Sequence, residues 1–211
     1  MKIAGIVLAG GASRRMGTDK AALELGSSSV LDIIAGELSS ITTQVYIATG
    51  SVRREEMASK YIEVKDIYPG SGPLAGIQAG MLRGEADLYV VVSCDIPLIR
   101  AELLSAMVQV MEVSLDTGIQ ALVPQIRDQI HPLAAVYHHS LIDTLETQLR
   151  EDNRRVRDTL SKLSVRYVTE SELEAITGIP AARIEEMFIN MNEKEDYERV
   201  KQIYGSRDQD Q

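Results

Sequence analysis

Residues 8–20 read LAGGASRRMGTDK and follow an apolar run, Ile3–Val7, of strand length. A chain that leaves a strand through two adjacent glycines, two arginines and a further glycine gains little apolar burial. Such a loop is suited to another task. Glycine lets backbone N–H groups approach phosphate oxygens with no Cβ in the way. Arg15 and Lys20 add charge-assisted donors. Glycines after a strand are also the composition of a plain turn, and alone they leave both readings open. The pattern GxxxxGK[ST] does not occur, which excludes a P-loop NTPase. GxGxxG is absent too, which removes the main support for a dinucleotide-binding fold and a nicotinamide reductase.

Outward from this stretch, apolar runs alternate with amphipathic ones. KIAGIVLAG reads as the first strand. SSVLDIIAGELSS reads as a helix with Ser29 as N-cap. QVYIAT is a strand, VRREEMASK a short helix and YIEVK a third strand. The loop DIYPGSG then leads to a helix, PLAGIQAGMLR, with Pro73 at its first position. DLYVVVS is a continuous apolar run of the kind buried on both faces of a parallel sheet. IRAELLSAMVQVMEV is a helix and IQALVPQI a strand. HPLAAVYH is a strand running into a helix, HSLIDTLETQLRE. Beyond residue 150 the pattern is less regular: a charged helix (NRRVRDTLSKL), a strand (VRYVT) and a last helix from Lys194 to Tyr204. The alternation predicts an α/β fold with a mostly parallel sheet. One domain over 1–204 is expected, with a polar, disordered tail at 205–211.

Bulk properties bound the function. With 211 residues, 45% apolar and 25% charged, the chain supports an ordinary core. The net charge of −9 argues against nucleic-acid binding. The locally basic opening suits a small anion, with a divalent cation supplying further positive charge. The single cysteine, Cys94, allows no internal disulfide and fits a reducing, cytoplasmic setting. No secretory signal or membrane-length apolar stretch is read. Three scattered histidines form no zinc pattern.

Four further places carry chemistry. Asp66–Ile77, DIYPGSGPLAGI, is a Gly/Pro loop entering a helix whose N-terminus can face an anion; an ordinary strand-to-helix loop has the same composition. Asp95 follows the most apolar strand, where ligands of open α/β sheets bind, and a carboxylate there is a natural Mg²⁺ ligand or, alternatively, a helix N-cap. Cys94 beside it reads as a small buried residue. His131 precedes Pro132 in a strand-like setting. His138 and His139 read as helix-start residues. Asn190 and Asn192 alternate on an extended segment, so they share a face.

The whole run LAGGASRRMGTDK resembles the signature of nucleotidyltransferases that activate small phosphorylated molecules with an NTP. It looks most like that of the molybdenum cofactor guanylyltransferases. Related cytidylyltransferases more often carry alanine where Gly10 stands. The resemblance implies a Rossmann-like, three-layer α/β/α nucleotidyltransferase fold. It implies that Leu8, Ala9, Gly10 and Gly11 lie along GTP, that Arg15 meets phosphate, that Lys20 reaches the nucleotide end of the site, and that Asp95 holds Mg²⁺. GPLAGI, with Gly76, resembles the family's second nucleotide-contacting segment. Asp66 matches the aspartate expected near the guanosine, at base or ribose. His131, Asn190 and Asn192 fall on the acceptor side. The family's FxNxNTPED is matched at Phe188, Asn190 and Asn192, but Glu193-Lys194-Glu195 replaces its threonine-proline start. Thr49-Gly50-Ser51 stands where relatives often carry an asparagine.

The implied reaction is Mg²⁺-dependent transfer of GMP from GTP to the terminal phosphate of molybdopterin, with release of pyrophosphate. Transient contacts with cofactor-biosynthesis and acceptor proteins are implied with it, and no nucleic acid or membrane. A cytidylyltransferase or another small-molecule NTP transferase shares this chemistry. A catalytically silent nucleotide-binding regulator is the reading from another class.

Overall fold

A computed structural model describes residues 1–10, 19–50 and 61–208. The apolar run before the glycines forms β1 (Ile3–Leu8), buried from Ala4 onward. After residue 18 come a 3-10 turn (Lys20–Ala22) and a small ribbon of β2 (Glu24–Leu25) with β3 (Ser28–Ser29). Helix α1 (Val30–Ser39) starts as expected on Ser29, whose hydroxyl accepts from the Asp32 N–H at 3.1 Å. Strands β4 (Gln44–Ala48) and β5 (Ile62–Val64) flank residues 51–60. The short helix read from VRREEMASK therefore lies outside the described residues.

Helix α2 (Pro73–Arg83) opens on Pro73. It is followed by β6 (Leu88–Ser93), buried throughout, and α3 (Ala101–Ser114). Strand β7 (Ala121–Ile126) turns back into β8 (Gln129–Ile130), and β9 (Ala134–His138) follows. Arg127 and Asp128 form the turn with φ of 47° and 60°. Positive φ at both central residues is the geometry of a two-residue hairpin. These residues carry no Asn-Gly signal, and the sequence reading has no hairpin here. His131 accordingly follows a short strand and lies in a turn rather than in a strand.

The remaining elements are α4 (Ile142–Arg150), α5 (Val156–Leu160), β10 (Val165–Thr169), α6 (Glu170–Thr177), α7 (Ala181–Met187) and α8 (Lys194–Asp208). The charged helix is shorter than NRRVRDTLSKL suggested. The last helix runs through 205–208, four residues into the stretch expected to be a disordered tail. Helices α6 and α7 are additions to the sequence reading. Thr169 caps α6 by accepting from Glu172 N–H, and Gly178 ends it at φ 74°.

The main sheet runs β10-β7-β9-β6-β1-β4-β5, with β8 attached to β7. β1 pairs in parallel with β4 and β6, β4 with β5, and β10 with β7. Only β8 and β9 run against the others. Successive strand residues enter opposite cores. Val7, Ile47, Val90 and Val92 pack with α1, α3, α6 and α7. Ile6, Leu8, Ala48 and Val91 pack with α2 and α4. The result is the expected three-layer α/β/α arrangement, with a mostly parallel sheet interrupted by β9.

Candidate functional site

From β1 the chain moves outward to β4 and β5, then returns to β6 on the other flank. The sheet therefore reverses its order between β1 and β6, where open α/β sheets form a ligand crevice at their carboxyl ends. Leu8 is the pivot, in register with Ala48 on one side and Ser93 on the other. Leu8 and Ala9 are buried, and the Ala9 N–H donates to Ala48 O at 2.9 Å. Gly10 then lies against the β4–β5 loop. A Cβ on it would sit 2.9 Å from Gly50 N and 3.0 Å from the Thr49 carbonyl carbon. Both are backbone atoms, so the close approach requires glycine. The Thr49 hydroxyl fixes the same loop by donating to Glu63 Oε1 at 2.8 Å. Gly11 and Arg15 lie outside the described residues.

Asp66 borders this slot. The loop after β5 closes on a turn in which Ser71 N–H donates to Tyr68 O at 3.2 Å, with Gly70 at φ 77°. Pro69-Gly70 at its centre matches the type II preference. Gly76, in the first turns of α2, brings that helix onto the sheet. A Cβ there would lie 3.0 Å from both Ala48 Cβ and Leu8 Cδ2, and 3.9 Å from Asp66 Oδ1. Asp66 Oδ1 is buried and accepts no hydrogen bond from any described residue. Burial raises the Asp66 carboxyl above its ordinary value. A buried acceptor without a donor is unfavourable in the empty protein and suits a ligand that brings the donor.

On the β6 side three side chains converge. Asp19 caps the 3-10 turn by accepting from the Ala21 N–H at 3.1 Å, which sets the start of Lys20. Lys20 Nζ lies 3.2 Å from Asp95 Oδ1 and donates to Asn192 Oδ1 at 2.8 Å. The Asn190–Asn192 segment is held from its backbone, because Met191 N–H donates to Asp95 O at 2.7 Å. Asp196 Oδ2 accepts from the N–H groups of Asn192 and Glu193, each at 2.9 Å. This is half of a capping box, so the start of α8 survives without threonine-proline. Met191 is fully buried between the two asparagines; Asn192 meets Lys20, and Asn190 lines a cavity with Asp95.

Asn190 and His131 meet over a cavity of about 190 Å³ that Ser93, Asp95 and Leu133 also line. The His131 ring packs 4.8 Å from the Phe188 ring, and burial lowers its pKa, so the imidazole is neutral at pH 7. Ser93 is a lining residue that the sequence reading missed, since a serine ending an apolar strand carries no distinguishing signal. Its hydroxyl also accepts from Asp95 N–H at 3.4 Å. Cys94 is buried as expected.

Among the described residues no group of three or more His, Cys, Asp or Glu side chains is placed to hold a metal. Asp95 stands alone, with Oδ1 toward Lys20 and Oδ2 without a partner among the described residues. One half-exposed carboxylate fits Mg²⁺, which takes few protein ligands where phosphates complete its shell. It does not fit zinc. Among the described residues no helix is long and apolar enough to cross a membrane.

Comparison with known proteins shows the family and the fold. The family model described as "MobA-like NTP transferase domain" matches residues 5–170. The chain is 36% identical over 202 residues to a "Probable molybdenum cofactor guanylyltransferase" of Peptoclostridium acidaminophilum, covering 94% of this chain and 88% of that one. It is 34% identical over 196 residues to a protein of the same name from Pelotomaculum thermopropionicum, covering 93% and 90%. Among solved structures, the molybdopterin-guanine dinucleotide biosynthesis protein A of Archaeoglobus fulgidus superimposes with a TM-score of 0.78 at 27% identity. That match covers 98% of this chain and 100% of the other.

Proposed function

The chain belongs to the MobA-like NTP transferase family and is a nucleotidyltransferase, and from that premise we propose that it transfers GMP from GTP to the terminal phosphate of molybdopterin. The observation that carries the reading is the division of the crevice across β1. On one side lies a backbone-lined slot with a buried acceptor, Asp66 Oδ1, that has no donor among the described residues. On the other lies a cation beside a carboxylate, Lys20 with Asp95.

Guanine brings N1–H and 2-amino donors to Asp66, which accepts both as a carboxylate. The tight passage at Gly10 lets the nucleoside lie against bare backbone. Lys20 and Arg15 meet the triphosphate, with the Gly11 amide as a further donor. Asp95, through Oδ2, would hold Mg²⁺, which when bound offsets negative charge on the triphosphate and on departing pyrophosphate. The attacking phosphate oxygen forms a bond to the α-phosphorus. The bond from that phosphorus to the α–β bridging oxygen breaks, and pyrophosphate leaves with the electron pair. The attacking group is already an anion, so no general base is needed. Neutral His131 and Asn190 line the acceptor cavity and bind polar edges of the pterin without adding charge. Lys20, held by Asn192, faces the charge that builds up and does not have to reorganise to do so.

Calorimetric titration with GTP, CTP, ATP and UTP, each with and without Mg²⁺, tests the reading. Selective, Mg²⁺-strengthened GTP binding is expected, followed by pyrophosphate release when molybdopterin is added. A preference for CTP would overturn the substrate while leaving the reaction class.

A further inference from the structure

The loop that carries Asp66 has little packing of its own. Ile67 is 59% exposed, and Pro69 and Gly70 are exposed as well. Tyr68 packs against the core beneath α2 and α4, and among the described residues hydrogen bonds from outside hold the loop. Tyr68 Oη donates to Glu146 Oε1 at 2.7 Å, and Arg154 Nη1 donates to Gly70 O at 3.1 Å. Glu146, on α4, is held in turn by Arg150 Nε at 2.8 Å and by the side-chain amide of Gln78. Gln78 is fully buried on α2, two residues beyond Gly76. One carboxylate thus joins both walls of the slot: the loop through Tyr68 and the helix through Gln78. The Tyr68 hydroxyl is the largest of the contacts that keep the Glu146 carboxyl below its usual range, so it stays an acceptor at neutral pH.

The geometry points to Glu146 as a positioning residue for base selection: through Tyr68 it fixes the loop that presents Asp66 to the nucleotide. The inference rests on the proposed reading of Asp66. Reading two donors on one purine edge requires the carboxylate to stay within a few tenths of an ångström of hydrogen-bonding distance. A loop released from α4 still lets GTP bind by its phosphates and loses discrimination at the base. Neither Glu146 nor Tyr68 needs to touch the ligand.

The test compares GTP with ITP, which lacks the 2-amino donor, by calorimetry in Mg²⁺, with pyrophosphate as a probe of the phosphate end. Wild type is expected to prefer GTP. Tyr68→Phe and Glu146→Ala are expected to reduce that preference by up to about tenfold, the worth of a hydrogen bond, with pyrophosphate affinity unchanged. Glu146→Gln keeps an oxygen for the Tyr68 hydroxyl and recovers most of the preference. Thr147→Ala changes an exposed residue next to Glu146 on α4, whose hydroxyl donates to Asp143 O, and leaves the preference intact. Full preference in both Tyr68→Phe and Glu146→Ala overturns the inference alone, as does an equal loss in Thr147→Ala. A wild-type protein that does not distinguish GTP from ITP overturns the reading of Asp66, and the inference with it.

Discussion

The backbone N–H of Met191 donates to the carbonyl oxygen of Asp95 at 2.7 Å, so the segment bearing the two asparagines hangs from the strand end bearing the carboxylate. Met191 is also fully buried. Met191→Ala is expected to lower stability by about 2–5 kcal/mol, as for a large-to-small change in a packed core. A shift in the urea midpoint reads this. At temperatures where the variant remains folded, turnover is expected to fall as Asn192 loosens from Lys20.

Asp95→Ala separates chemistry from folding. Its ion pair with Lys20 is partly exposed, and such pairs contribute about 0–1 kcal/mol. The melting temperature should change little, while Mg²⁺-dependent turnover is lost. Normal Mg²⁺-dependent activity in this variant would sink the assignment.

Lys20→Ala removes a charge that faces the nucleotide in both ground and transition states. Turnover is expected to fall by about 10²–10³, with weaker GTP binding measured by calorimetry. An unchanged GTP Kd would mean that Lys20 acts on the transition state alone.

Gly10→Ala tests the passage between the two loops. The new methyl would meet backbone of Thr49 and Gly50, not a side chain that can swing away. The expected cost is about 1–3 kcal/mol, with weaker GTP binding as the loops part. An unperturbed GTP Kd would show that the slot is wider than the nucleoside requires.

Asp66 gives a pH signature. Burial raises its carboxyl, so the folded chain keeps this proton to a higher pH than the unfolded chain does. The ionised group therefore lowers stability above the raised value, and the effect disappears as pH falls toward 3.8. Asp66→Asn is expected to raise the melting temperature of the ligand-free protein at neutral pH, with the gain vanishing in acid. The same variant is expected to lose its preference for GTP over ITP. A melting temperature lowered at neutral pH would contradict the cause assigned to the shift.

Much of this architecture is legible in the sequence because it rests on local rules. Ser29 before an apolar helical repeat marks α1, and the unbroken run of β6 marks a strand buried on both faces. Asp95 is legible for the same reason, at the end of that strand. The β7–β8 hairpin is not, because arginine and aspartate hold the left-handed positions where Asn-Gly is expected. Helix α6 carried its signals, Thr169 three residues before Glu172 and a closing Gly178, in a segment too polar to show a clear apolar stripe. The pairing of Lys20 with Asn192 spans 172 residues and follows from no local rule; only the family resemblance placed both in one site. Glu146 escaped notice because a half-buried helical glutamate reads the same in sequence whether it faces solvent or holds a loop.

Tyr197, on α8, donates to the carbonyl oxygen of Glu24 at 2.7 Å, just beyond the turn that sets Lys20. Together with Asn192, it ties the beginning of the chain to residues made about 170 positions later. During translation the sheet around β1 can be laid down well before this clasp exists. The ribosome therefore carries a nascent enzyme whose lysine lacks its final partner. A transcript cut short before Asn192 yields a product that can retain much of its sheet but lacks a finished site.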